Sequence, residues 1–236
     1  MDFVTVKSEL VKLSVENKIK ICRRFYKPDE LENIKFLGVP VPLQRQIVKK
    51  YKSLELTQLS LLLKDEFHES KLISLLFIVN MMNESKTEKE REEYFNFYCE
   101  HFDFINTWDL VDLSAPEIVG RYFASHDEKK LYNLVKHKNF WVQRIAMVST
   151  WYFIKSNKLD YTFDFALILL EHKEDLIQKA VGWMLREAGK KDFDRLLNFL
   201  ITEKRYNKMP RTMLRYAIEK FPEELRQSIL KNKLNI

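Results

Sequence analysis

Apolar residues recur three and four positions apart along nearly the whole chain, the period of helices that each bury one face. The first run starts at Asp2 or Thr5 and fades near Leu13. Ser14 is placed to cap a second, which reaches about Tyr26. "KPDELENIKFLGVPVP" is the one long stretch without a period, and Pro42 then suits the first turn of a helix through "PLQRQIVKKYKS". Thr57 caps "QLSLLLK". "FHESKLISLLFIVNMM" is apolar on most sides and reads as a buried central helix. From Ser85 to Asp103 one face is charged and the other carries Tyr94, Phe97, Tyr98 and Phe102.

Beyond residue 106 the predicted helices come in pairs: 107–124 with 127–137, 139–156 with 160–170, 174–189 with 191–203, and 209–220 with 222–232. Pairs spaced at about 35 residues predict stacked helical repeats, and stacking with a small rotation makes a curved solenoid whose concave face suits a long ligand. With only 4 Gly and 6 Pro, the chain has too few breakers for the many tight turns of a sandwich or barrel. The expectation is an all-α chain, residues 1–236, folded as one domain.

Composition narrows the chemistry. Cys22 and Cys99 form no CxxC pair and read as reduced core thiols of a cytoplasmic protein. His68, His101, His126, His137 and His172 show no HxxH or HExxH spacing, so no metal site is expected. No apolar run approaches the roughly 20 residues of a membrane span, and "MDFVTVKSEL" lacks the apolar core of a signal peptide. Residues 179–220 hold 11 Lys/Arg against 5 Asp/Glu and so carry the whole net charge of +6. Such a local excess suggests a surface that meets a polyanion, although a solvated basic helix face would look the same.

Four segments carry residues with possible chemistry. In "TWDLVDLSAP", Asp109 sits where a carboxylate favours a helix start, which is sufficient reason for it. Asp112 lies one turn beyond Trp108, on the same face, too deep in the helix to be a cap; it is either a site residue or an isolated surface acid. In "NFWVQRIAMVSTWYF", Arg144 falls at the edge of an apolar stripe, where it snorkels or offers its donors to a phosphate. In "LIQKAVGWMLREAGK", Trp183 lies off the apolar stripe on a face with Lys179 and Glu187. Gly182 beside it suggests close approach by another backbone or a ligand. In "NKMPRTMLRYAIEKFP", Arg211 and Arg215 stand one turn apart and can flank one phosphate, or are simply solvated.

Taken together, "FLGVPVPLQRQ", "TWDLVD", "WVQRIAMVSTW", "IQKAVGWMLREAGK" and "MPRTMLRYAIEKFP", in this order over residues 36–222, resemble the AlkD-like DNA alkylation-repair glycosylases, which are built from HEAT-like helical repeats. The resemblance implies a HEAT-like solenoid with a concave DNA-binding face. It implies monofunctional hydrolysis of the N-glycosidic bond of cationic alkylpurines such as 3-methyladenine or 7-methylguanine in duplex DNA. Trp108, Asp112 and Trp183 become the active-cleft residues, with Asp112 stabilising an oxocarbenium-like sugar. Arg144 becomes a phosphate ligand, while Lys179, Arg186, Lys190, Arg211 and Arg215 supply duplex affinity. No cofactor, membrane or obligate protein partner is implied, and a monomer is expected. Phe25 or Tyr26 is a further candidate for DNA contact, without an assigned role. The competing readings are a non-catalytic helical-repeat scaffold for DNA or a protein, and an RNA-binding repeat protein.

Overall fold

The computed structural model describes residues 2–28 and 30–233. Among them every regular element is helical, apart from one isolated bridge between Lys35 and Phe67. They divide into two compact units, Met1–Ser114 and Ala115–Ile236.

The first unit contains α1 (Phe3–Lys12), α2 (Glu16–Arg23), α3 (Val41–Tyr51), α4 (Leu56–Leu63), α5 (His68–Glu84), α6 (Glu88–Glu100) and the body of α7 (Trp108–Ala115). Asp2 caps α1 by accepting from the Thr5 N–H. Two predicted caps are corrected. Ser14 Oγ donates instead to the Leu37 carbonyl at 2.6 Å, and α2 begins after Val15 without a side-chain cap. Thr57 lies inside the first turn of α4, whose N-cap is Glu55. The central helix is found as expected: Leu72, Ile73, Leu75, Leu76, Phe77 and Ile78 of α5 are each at most 3% exposed. α5 packs against α3, α4 and α6, so its apolar residues on all sides have partners. Thr87 and Glu90 form a capping box at the start of α6.

The second unit follows as α8 (Arg121–Phe123), α9 (Leu131–Val135), α10 (Phe140–Lys155), α11 (Asp160–Ile168), α12 (Asp175–Gly189), α13 (Phe193–Ile201), α14 (Arg205–Lys208), α15 (Arg211–Ala217) and α16 (Glu223–Leu230). α10, α12 and α15 pack in sequence as one layer, with α9, α11 and α13 against them as the second members of the pairs. Gly182 explains how closely α12 and α15 meet: a Cβ there would lie 2.5 Å from both the Met213 carbonyl and Tyr216 Cβ. The close approach expected from that glycine is therefore to a backbone. α14 was not anticipated; the chain enters it through two left-handed residues, Glu203 and Lys204 at φ 52° and 53°. Between α7 and α8, residues Pro116–Gly120 form a π-helical turn. Pro116 has no N–H to donate to the carbonyl four residues back, that of Asp112, so the α-ladder is interrupted there. No helix among the described residues is long and apolar enough to cross a membrane.

Candidate active site

In the first unit a buried carboxylate organises the non-periodic loop. Glu69, in the first turn of α5 and 2% exposed, accepts the backbone N–H groups of Leu37, Gly38 and Val39 at 2.9, 2.7 and 3.2 Å. Gln44 of α3 donates to the Val39 carbonyl at 2.8 Å. Gly38 is required at the bend: its φ is +77°, and a Cβ would stand 2.5 Å from the Val15 carbonyl. His68 is fixed on the other side, its N–H bonding the Lys35 carbonyl at 2.8 Å. The loop therefore brings Phe36 onto His68, with ring centroids 5.3 Å apart.

The start of α7 meets this arrangement. His68 Nε2 lies 2.7 Å from Asp109 Oδ2, Thr107 Oγ1 donates to Asp109 Oδ1 at 2.8 Å, and the Tyr26 hydroxyl lies 3.2 Å from His68 Nε2. Burial pushes the Asp109 carboxyl up, but the His68 hydrogen bond and charge, then the two hydroxyls, outweigh it and hold its pKa below the ordinary value of 3.8. Burial and the adjacent Asp109 push the Tyr26 phenol far above its usual range, so it remains a donor. The Tyr26 ring contacts Phe36 and Trp108 with centroids 5.4 and 5.8 Å apart. Beside these rings is a cavity of about 290 Å³, lined largely by apolar groups, with Trp108 and Asp109 in its wall. Phe25 also lines it and is 66% exposed.

The reading of Asp109 as only a helix-start acid is thus corrected. It is in the first turn of α7, but it also accepts from His68 and Thr107 and lines a cavity. Asp112, one turn on from Trp108, is half-buried like Trp108. Ser114 anchors the end of the same helix, bonding the Leu110 carbonyl at 2.6 Å and the Tyr98 hydroxyl of α6 at 2.8 Å.

The candidate residues of the second unit lie on the layer α10, α12 and α15. Arg144 is not at the edge of a stripe: it is 4% exposed and donates to the Leu176 carbonyl. Trp183 is half-buried, its ring 6.1 Å from that of Trp151. Much of the basic charge on α12 has internal partners. Lys179 pairs with Asp175 at 2.8 Å, Arg186 with Glu187 and Glu219, and Lys190 with Glu187 at 2.6 Å. Arg211 and Arg215, both on α15, are exposed. The predicted core thiols are also corrected, since Cys22 and Cys99 are each only half-buried. Among the described residues no group of three or more His, Cys, Asp or Glu side chains could hold a metal ion.

Sequence reasoning missed His68, Glu69 and Phe36, and left Tyr26 without a role. The available signal was "FHE" at the head of the apolar run, two polar side chains opening a helix that is otherwise buried.

An all-helical chain with a carboxylate held under an aromatic cluster is the class that fold and site define. Residues 6–221 match the model of the family described as DNA alkylation repair enzyme, and the chain belongs to that family. The fold is similar to that of a solved structure described as a predicted DNA alkylation repair enzyme from Enterococcus faecalis, with a TM-score of 0.68 at 16% identity over 89% of this chain and 97% of that one. No curated protein matches the chain.

Proposed function

We propose that this protein is a monofunctional DNA glycosylase that hydrolyses the N-glycosidic bond of cationic N3- or N7-alkylated purines in duplex DNA. The observation that carries the reading is on α7: Trp108 and Asp112 stand one turn apart, both half-buried, in a member of the DNA alkylation repair enzyme family. Alkylation makes the base a good leaving group. When the bond from C1′ to the base breaks, the electron pair leaves with the base and positive charge spreads over the sugar. Asp112 stabilises that charge and orients the water whose oxygen adds to C1′ as its proton departs. The indole faces of Trp108 and Trp183 attract cationic or polarised edges at about 0.5–2 kcal/mol per contact. Arg211 and Arg215 meet phosphates directly. Lys179, Arg186 and Lys190 do so by exchanging carboxylate partners.

The test is release of free 7-methylguanine from methylated duplex DNA by the purified protein. Asp112→Asn keeps the shape and removes the charge. It is expected to lower single-turnover excision by roughly 10²–10³-fold, the scale for one electrostatic stabiliser, and to retain duplex binding. Release no faster than spontaneous loss would sink the enzymatic reading. Wild-type excision by Asp112→Asn would move the role elsewhere.

A further inference from the structure

We propose that the groove between α4 and α6 is a second active site, in which Ser60 is the nucleophile and His101 its general base for the hydrolysis of small neutral carboxylic esters. It uses no residue of α7 and does not rest on the glycosylase reading.

Ser60 stands on α4 and His101 closes α6, 41 residues further on, yet Ser60 Oγ lies 2.7 Å from His101 Nε2. The other ring nitrogen fixes the direction of that bond. His101 Nδ1 is 2.8 Å from the Phe97 carbonyl, an oxygen that can only accept. In the neutral ring Nδ1 therefore carries the proton, and Nε2 is left to accept from the Ser60 hydroxyl. The imidazole is also pinned: it is 7% exposed, stacks on the Phe97 ring with centroids 4.3 Å apart, and has the Phe104 ring at 6.2 Å. A hydroxyl, a base within hydrogen-bond reach and a third group that orients the base are the parts of an activated nucleophile. The orienting carbonyl belongs to the last turn of α6, where a helix favours positive charge, so it stabilises the imidazolium formed once Nε2 has taken the proton.

The pair opens on space for a substrate. Ser60 is half-buried, and with His101 it lines a groove of about 880 Å³, within the roughly 300–1,000 Å³ range of small-molecule sites. Leu56, one turn before Ser60, and the Phe97 ring offer an apolar wall to a short acyl chain. Lys64, one turn after Ser60, lines the same groove and is the cation placed to meet a developing oxyanion. The remaining charges are Lys89, Glu92, Glu93 and Glu100 of α6; with three acids against two lysines, an anionic ester gains nothing over a neutral one. In the reaction Ser60 Oγ bonds to the carbonyl carbon as its proton passes to Nε2. The bond from that carbon to the alcohol oxygen then breaks, and the proton leaves with the alcohol. Water adds to the acyl carbon, giving a proton to Nε2, and the acid departs as that proton returns to Oγ. The balance is ester and water to acid and alcohol, with no other reactant.

The experiment treats the full chain with a fluorophosphonate, whose phosphorus bonds to an activated serine oxygen with loss of fluoride, and locates the adduct by peptide mass spectrometry. In parallel the release of p-nitrophenol from p-nitrophenyl acetate is followed. The label is expected on Ser60, and Ser60→Ala should lose both the label and the p-nitrophenol release that exceeds the buffer rate. His101→Gln should slow both by roughly 10²–10⁴-fold, the contribution of a general base. A hydroxyl that serves only to satisfy the histidine would react no faster than that of Ser53, which is exposed. Ser60 labelled no faster than Ser53, label confined to other residues, or an unchanged rate in folded His101→Gln overturns the proposal. The labelled position is read on the wild-type chain, so that map decides alone if either variant loses its helical circular dichroism.

Discussion

Asp109→Asn is the substitution on which the site's geometry makes its sharpest demand. The carboxylate accepts from His68 Nε2 at 2.7 Å and from Thr107 Oγ1 at 2.8 Å. Asparagine keeps one oxygen but turns an NH₂ toward a donor, so at least one buried donor loses its acceptor and the charge is gone. Hydrogen bonds to charged groups contribute about 1.5–3 kcal/mol each, so a cost of about 2–3 kcal/mol follows. In a chain of this length that lowers the melting temperature by roughly 4–12 °C. An acid serving only the helix start would cost about 0.3–1 kcal/mol, under roughly 4 °C. The pH dependence adds a second requirement. The folded pKa of Asp109 lies below its ordinary value of 3.8, so the carboxylate's stabilisation is fully present above that pH and is lost as pH falls through the folded value. Thermal melts followed by circular dichroism should therefore separate wild type from variant widely at neutral pH and converge in acid. A variant melting within about 1 °C of wild type at neutral pH, or a gap that does not narrow as pH falls below 3.8, would refute the network.

Gly182→Ala forces a methyl to 2.5 Å from the Met213 carbonyl and Tyr216 Cβ, and should cost about 1–3 kcal/mol despite the better helix propensity of alanine, a loss read in the same melts. Replacing Arg211 and Arg215 together by alanine should flatten the log–log salt dependence of duplex binding by about 2, one for each phosphate contact, measured by anisotropy; an unchanged slope removes α15 from the interface. Arg144→Ala should chiefly reduce stability, because the side chain is buried and donates to a backbone carbonyl. The Cys99 thiol, pushed up by burial to about 12, should react with a disulfide reagent at pH 8 far more slowly than a free thiol, and fast labelling would mean that α6 opens.

Helical content and helix order were legible because the apolar period is carried by long runs such as those of α5, α10 and α12, where burial of one or more faces leaves little alternative. Caps were less legible. Ser14 and Thr57 are good cap types at plausible positions, yet Ser14 is drawn to the Leu37 carbonyl and α4 is capped two residues earlier, at Glu55. A cap depends on which acceptor lies nearest in three dimensions, and that is a tertiary fact. The cavity was largely hidden for the same reason. Asp109 and His68 are 41 residues apart, and Tyr26 and His68 are 42. Neither pairing leaves a local period or motif. What brings them together is the Glu69 clamp on the N–H groups of the "FLGV" bend, and no spacing rule announces a glutamate that bonds backbone some thirty residues back.

The two acids of "TWDLVD" then differ through their positions alone. Asp109 directly follows Trp108, and its carboxylate takes donors from His68 of α5 and from Thr107. Those donors fix its charge and use its lone pairs, which suits a permanent counter-ion and not a group that must hand water a place to react. Asp112 falls one turn past Trp108, on the indole's side of the helix, just before the turn where Pro116 interrupts the α-ladder. A proline four residues after an aspartate removes the donor to that aspartate's carbonyl. Exchange of the two acids is therefore not neutral. A chain with asparagine at 109 should melt early yet excise whatever base it can still hold, and one with asparagine at 112 should melt close to wild type and excise slowly. Single-turnover rates and melting curves on the same two preparations decide it, and the reverse pairing of defects would show that the counter-ion and the catalytic acid had been exchanged.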